Sequence, residues 1–159
     1  MFRTLKSSDW FSADGFPIAV LRREPQEAFP LHNHDFAEVV LVTKGRGQHA
    51  VGRQALPLSA GDVFVIGGSQ AHAYRNLESL HLINILFQPE RLRLQLGDLA
   101  QLPGYHALFA LEPAWRRRHQ FKSRLHLAPR DLGRGLELVD QLDAELQRRA
   151  PGFGCLATA

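Results

Sequence analysis

The sequence predicts a mainly β domain, an antiparallel sandwich or barrel, that is followed by C-terminal α-helices. Short apolar runs separated by glycine turns fill the first 88 residues, which is typical of all-β folds of this kind. The character changes after Gln88-Pro89, and apolar residues then recur at three- and four-residue steps between about 129 and 149. Because 159 residues is the length of one domain, we expect residues 1–88 to form the barrel and residues 89–159 a helical extension packed on it.

The predicted strands are apolar runs bounded by turn residues. In chain order they are residues 18–22, 36–43, 48–51, 55–58, 63–66, 72–75 and 80–87. Glycines place turns at 44–47, 52–53 and 60–62. The first of these turns makes 48–51 the hairpin partner of 36–43.

The clearest helix is an amphipathic one near the C-terminus. Pro129 suits a first helical position, although Gly133 and Gly135 each cost about 0.5–1 kcal/mol relative to alanine and favour a later start. An apolar stripe on this helix needs a surface to cover, and it consists of Leu132, Leu136, Val139, Leu142 and Leu146. A leucine-rich helical stretch is also expected at 92–102. Residues 155–159, after a breaker at 150–154, would begin a further helix of a longer protein.

Composition narrows the class of protein. Cys155 is the only cysteine, so an intrachain disulfide is excluded and a reducing compartment is the default. The chain has no secretory signal and no run of roughly 20 apolar residues that could cross a bilayer, so we expect a cytoplasmic protein without a membrane partner. The formal net charge is +3, and the short basic cluster at 116–119 is expected to be a solvated face. Neither zinc-finger spacing nor an obvious helix-turn-helix is present.

Four residues carry the strongest chemical signal: His32, His34, Glu38 and His72. In one extended strand the first three would share a face, because they are separated by even numbers of residues. Imidazole and carboxylate donors suit a divalent ion such as zinc, nickel, iron or manganese. A single His-x-His on a strand is more often structural, but the glutamate and the later histidine after a glycine turn make a metal site the better interpretation.

These two segments resemble the two motifs of the cupin superfamily. The first motif of that family supplies two histidines and a glutamate, and the second supplies a histidine, which match His32, His34, Glu38 and His72. Gly67 and Ser69 depart from the proline and glycine of the second motif, at turn positions. The resemblance implies a cupin-type double-stranded β-helix, or jelly-roll barrel, with a ligand or metal held inside.

A wider resemblance covers roughly residues 31–146, with the stretch HDFAEVVLVTKGRG its most specific part. This part of the chain resembles the N-terminal sensor domain of AraC-family transcription regulators, in the branch of the rhamnose-responsive activators. In that family a dimerisation helix and two helix-turn-helix motifs follow the sensor. The resemblance therefore implies a homodimer in the full-length protein and DNA contact only through a C-terminal domain outside this chain.

The first functional hypothesis is a non-enzymatic sensor whose effector is a sugar or a related small molecule. Such a pocket discriminates between ligands because a wrong ligand leaves its polar groups without hydrogen-bond partners. Beyond the quartet, the residues expected to contact the effector are Tyr74, Asn84, His49 and His81. The rival hypothesis is a small metal-dependent cupin enzyme, such as a dioxygenase, isomerase or lyase, and a third is a purely structural cupin.

Sensing also requires a part of the chain that responds to the effector. A ligand acts at a distance only if it binds two conformations with different affinity. The candidates are the helices after Pro89 and the N-terminal arm, residues 1–11, in which Trp10 and Phe11 could close the mouth of the barrel.

Overall fold

The structure, a computed structural model, describes residues 3–67, 69–92, 101, 105, 108 and 124–158. Within them the chain forms β1 Arg3–Leu5, β2 Ile18–Arg23, β3 Phe29–His34, β4 Ala37–Val51, β5 Gln54–Ser59, β6 Asp62–Ile66, β7 His72–Phe87, β8 Arg124–His126, α1 Pro129–Arg148 and α2 Phe153–Thr158. The prediction of a mainly β domain followed by helices is confirmed. The expected helix at 92–102 and the basic cluster at 116–119 lie almost entirely outside the described residues.

Two long antiparallel strands, β4 and β7, form the spine of the fold and pair along most of their length. The first part of β4 also pairs with β6, and its second part pairs with β5. Likewise β7 pairs with β3 near its start and with β2 near its end, while β1 and β8 extend the edges. The strands thus form two opposed sheets that share β4 and β7, which is the double-stranded β-helix expected from the resemblance.

Both spine strands bend where they face each other. The register of β4 against β7 shifts repeatedly between Val42 and Gln48, and Gly45 there has a φ of +75°. Opposite it on β7, Asn76 and Ser79 have φ values of 50° and 45°. The predicted hairpin between 36–43 and 48–51 is therefore wrong, because the chain continues through these irregularities as one bent strand.

The hydrophobic core fills the space between the two sheets. Its buried members are Val40, Val42, Leu58, Phe64, Ile66, Tyr74, Leu80 and Leu82. A separate cluster lies on the outer face of the β2-β7-β4-β6 sheet, where Leu41 and Ile83 contact Val139, Leu132 and Leu136 of α1. The amphipathic stripe predicted from the sequence thus covers one outer face of the barrel.

Helix α1 spans Pro129–Arg148, so the prediction of a helix over about 129–149 is confirmed, and its two early glycines do not delay its start. Gly135 packs where a Cβ atom would be 4.0 Å from methyl carbons of Leu41 and Leu127, so the helix backbone comes close to the sheet. Arg22 on β2 adds an ion pair, with its guanidinium 2.5 Å from Asp140 of α1. Neither described helix is long and apolar enough to cross a membrane. The division of the chain at residue 88 stays a prediction.

A charged and aromatic cluster around Arg149 joins the two ends of the chain. Arg149 follows α1 with a left-handed backbone, and its guanidinium donates hydrogen bonds to Asp14 at 2.5 Å and to the hydroxyl of Ser12 at 2.6 Å. The same group stacks over Phe153 of α2 and Phe16, at 4.6 and 5.4 Å from the ring centroids. The segment that follows Phe11 is thereby held against the junction between α1 and α2.

Candidate functional site

The predicted quartet comes from three strands that meet inside one end of the barrel. His32 and His34 end β3, Glu38 lies at the start of β4, and His72 opens β7, where it pairs directly with His32. The expectation that residues 32–38 form one extended strand is wrong, because the chain bends at Asp35 and Phe36. Glu38 nevertheless returns to the histidines, since β4 runs back beside β7.

Three of the four residues form a compact cluster of possible metal ligands. One ligand atom each from His34, Glu38 and His72 lies within 4.8 Å of the others. Nε2 of His34 is 3.7 Å from Oε1 of Glu38, and all three residues are buried. His32 does not join this triad. Its ring lies beside it, with a centroid 4.1 Å from that of His72.

Backbone carbonyls fix the histidine tautomers. Nδ1 of His34 donates to the carbonyl oxygen of Phe36 at 2.5 Å, and Nδ1 of His72 donates to that of Gln70 at 3.2 Å. Nδ1 of His32 donates to the carbonyl oxygen of Pro30 at 2.8 Å. Because a carbonyl oxygen can only accept, each Nδ1 carries the proton and each Nε2 keeps its lone pair. This is how a protein orients histidines that bind a metal through Nε2.

The donor set fits a divalent ion. The Nε2 atoms of His34 and His72 are buried and have no hydrogen-bond partner among the described residues. A buried nitrogen lone pair without a hydrogen-bond donor lowers the stability of the fold, and a metal ion would bind the lone pairs of both Nε2 atoms. Two imidazoles and a carboxylate are also the ligand types that zinc, nickel, iron and manganese accept.

Burial dominates the electrostatics of the triad. It lowers the pKa of His34 to about 4 and that of His72 to about 2, with the nearby His32 and His49 contributing further to the second shift. Burial raises the pKa of Glu38 to about 7, an effect that the positive charge of Arg23 partly opposes. The histidines are therefore neutral at physiological pH, which is the protonation state that metal binding needs.

We expect the metal-free protein to become more stable as the pH rises from about 4.5 to 6.5, and to level off near 7. In this window the unfolded chain holds protons on His34 and His72, whereas the folded chain holds one on Glu38. With His32, whose pKa burial also lowers, the unfolded state binds one to two more protons. The free energy of unfolding should then rise by roughly 1.4–2.7 kcal/mol per pH unit. Urea unfolding after chelation would measure this, and a midpoint that falls with pH would contradict it.

A partly open cavity adjoins the triad. His32, Glu38 and His72 line it together with two of the predicted effector contacts, Tyr74 and Asn84. The hydroxyl of Tyr74 and Oδ1 of Asn84 are buried without hydrogen-bond partners among the described residues. The structure therefore brings polar groups that need partners to the wall of one cavity.

The other two predicted effector contacts do not line the cavity. His49 is buried behind it, with its ring 5.3 Å from His72 and 5.5 Å from Tyr74. His81 alternates with Leu82 on β7 and shares the outer face with Ile83, away from this cavity, so its contact with the effector stays a prediction. The bend at Asn76–Ser79 explains the difference, because alternation cannot be counted from His72 through it.

Sequence reasoning also missed residues that the cavity includes. Arg23 and Gln26 line it from the end of β2, and Leu5 and Trp10 line it from the N-terminal segment. The first predicted strand, residues 18–22, stopped one position before Arg23. Alternation along that strand could have identified Arg23, because Arg22 pairs with α1 on the outer face and its neighbour must point inward.

Comparison with known proteins assigns the family. The jelly-roll barrel with a buried imidazole–carboxylate cluster defines a cupin-type domain. The AraC-like ligand binding domain family matches residues 17–149. The HTH-type transcriptional activator RhaR of Escherichia coli strain K12 is 33% identical over 147 residues, which is 92% of this chain. The RhaR of strain E24377A is 38% identical over 112 residues, or 70% of this chain. This chain belongs to the AraC-like ligand binding domain family.

Solved structures match part of this chain. A cupin-2 domain protein from Shewanella frigidimarina is 28% identical, with a TM-score of 0.38, and the match covers 45% of this chain and 69% of that protein. KdgF from a Halomonas species is 18% identical, with a TM-score of 0.41, and the match covers 45% of this chain and 70% of that protein. The chain spans about half the length of its curated relatives, 48% in the case of RhaR from strain K12.

Proposed function

We propose that this chain is the effector-sensing domain of an AraC-type transcription regulator and binds a sugar or a related small molecule in the barrel. The observation that carries the proposal is the cavity beside the triad, where Tyr74 and Asn84 present polar atoms without partners. A sugar hydroxyl both donates and accepts hydrogen bonds, so it can satisfy both side chains. A purely structural barrel gains nothing from burying them unsatisfied.

The whole protein would act in the cytoplasm as a homodimer and contact DNA through a C-terminal domain outside this chain. The sensor itself would not be an enzyme. Support comes from the family and from the relatives, which are HTH-type transcriptional activators. The effector must bind two conformations of the domain with different affinity if its binding is to alter DNA contact.

A divalent ion is proposed as a resident of the same site. His34, Glu38 and His72 would hold it, with His32 beside them. When bound, the ion supplies a positive charge that can attract an oxygen of the effector. The backbone hydrogen bonds to Nδ1 orient the rings, and burial keeps the imidazoles neutral for binding.

A thermal-shift screen of monosaccharides on the metal-loaded protein tests the proposal. We expect at least one compound to raise the unfolding midpoint, since a ligand at 100 times its Kd adds about 2.7 kcal/mol of stability. Replacing Asn84 with leucine should remove that shift, because a buried amide at the cavity wall is lost.

Asn33 provides the matched control for Asn84. It lies on β3 and accepts a hydrogen bond from Thr4 at 2.7 Å, and it does not line the cavity. An Asn33→Leu protein should therefore keep the ligand-induced shift. A screen in which no compound changes the midpoint of the unmodified protein would argue against an effector site in the barrel.

A further inference from the structure

Arg23 is a cationic side chain in the wall of the cavity. It lies at the end of β2, where it pairs with Leu82 of β7. Leu21, two residues earlier on the same face of β2, pairs with Asn84 of β7 and also lines the cavity. Its guanidinium carbon is 5.5 Å from the centre of the Trp10 ring, over its face. Trp10 itself belongs to the N-terminal segment, so two parts of the chain that are distant in sequence build this wall.

Arg23 has no ion-pair partner within the described residues. Three other arginines do: Arg22 pairs with Asp140, Arg148 with Glu145 and Arg149 with Asp14. Glu38 also lines the cavity, but no oxygen of it lies within 4.0 Å of the Arg23 guanidinium. A guanidinium is always charged, and this one is half-buried and interacts with the Glu38 carboxyl without forming an ion pair with it.

A second donor on the same wall also lacks an acceptor. The indole nitrogen of Trp10 is buried and has no hydrogen-bond partner among the described residues. That N–H can only donate. Arg23 and Trp10 therefore contribute two hydrogen-bond donors, one of them charged, to the lining of the cavity that Tyr74 and Asn84 also line.

A carboxylate matches this wall better than a neutral hydroxyl. Its two oxygens accept in the bidentate geometry that a guanidinium offers, and charge-assisted hydrogen bonds of this kind are roughly twice as strong as neutral ones. A hydroxyl would leave the guanidinium without an ion-pair partner. Hydroxyl groups suit Asn84 and Tyr74, whose amide oxygen and phenol lack partners among the described residues.

We propose that the effector is an acidic monosaccharide, a uronate or an aldonate, whose carboxylate is bound by Arg23 and the indole N–H of Trp10. This assignment rests on the proposed effector-sensing function and adds the chemical class of the ligand. Arg23 selects the acid, and Asn84 and Tyr74 bind the hydroxyl groups.

Matched ligand pairs test the assignment by calorimetry on the metal-loaded protein. The probes are galacturonate with galactose, glucuronate with glucose, and gluconate with sorbitol, each pair differing at the carboxylate. We expect at least one acid to bind 10-fold or more tightly than its neutral partner. Arg23→Gln should remove at least 10-fold of that affinity, Arg23→Lys should remove less, and Trp10→Phe should weaken the acid alone.

Arg22 provides the control for Arg23. It is the preceding residue on the same strand, and it pairs with α1 on the outer face, so Arg22→Gln should leave the affinity for the acid unchanged. Circular dichroism of each variant shows whether it is folded. If the Arg23→Gln protein does not fold, the affinity of the Arg23→Lys protein for the acid still decides the test.

Two results would overturn the assignment. One is a neutral sugar that binds as tightly as its acid or more tightly, and the other is an Arg23→Gln protein that binds the acid as the unmodified protein does. Either result would leave the effector-sensing function standing. If lactate or benzoate bound more tightly than every sugar acid, the carboxylate contact would remain and the sugar part of the assignment would fall. Absence of binding by any compound would contradict both proposals.

Discussion

Replacing His72 with alanine is expected to abolish tight divalent-metal binding. His72 supplies one of three clustered ligand atoms, so its removal leaves only His34 and Glu38 in the triad. Loss of a residue that merely orients a ligand costs about 10–100-fold in metal affinity. Loss of a ligand should cost more than about 100-fold. Elemental analysis of the purified protein measures its metal content, and calorimetric titration with zinc measures its affinity.

His81 is the matched control, since it is a histidine on the same strand that faces away from the cavity. The His81→Ala protein should bind metal like the unmodified one. Glu38→Gln offers a second variant that keeps the size of the side chain and removes its charge, and it should also bind weakly. Equal zinc affinity in the His72→Ala and His81→Ala proteins would contradict the assignment of the triad.

Replacing Gly45 with alanine is expected to destabilise the barrel by more than about 3 kcal/mol, or to prevent folding. A Cβ atom at this position would lie 1.9 Å from the carbonyl oxygen of Ser79 and 2.4 Å from its carbonyl carbon. These are backbone atoms of β7, and the pairing on both sides of the bend holds them in place. Strain at a position with φ of +75° adds about 1 kcal/mol. Urea unfolding measures the effect.

Gly52 separates the two causes. It also has a positive φ, +57°, but a Cβ atom there would have nothing within 4 Å. Gly52→Ala should therefore cost only the backbone strain, about 1 kcal/mol. If the two alanine variants unfolded at the same urea concentration, close approach of β4 and β7 would not be what requires glycine at position 45.

Local pattern was enough to predict the strands and the long helix. Alternating and apolar runs separated by glycines indicate strands whatever their partners are, and the stripe centred on Val139 indicates a helix with one covered face. The path of β4 was not predictable in this way. Lys44, Gly45 and Gly47 look like a hairpin turn, and only the opposing β7 shows that they form a bend within a continuous strand.

The sequence predicts those site residues whose side-chain type is typical of metal ligands. It does not predict those that reach the cavity only through strand pairing. His34, Glu38 and His72 were identified by donor type, although the argument from a single extended strand was wrong. Arg23 and Trp10 carry no such mark, because arginine and tryptophan near a strand end are ordinary. Their importance follows from pairing that brings β2 and the N-terminal segment to the same cavity.

The Arg149 cluster has a consequence for cooperativity. Trp10 contributes to the cavity wall, and only a few residues later Ser12 and Asp14 hold the guanidinium between α1 and α2. A bound molecule that displaced this segment would therefore also act on the contacts of Arg149. If it did so, a change at the junction between α1 and α2 would alter the affinity of the barrel for that molecule by the same factor.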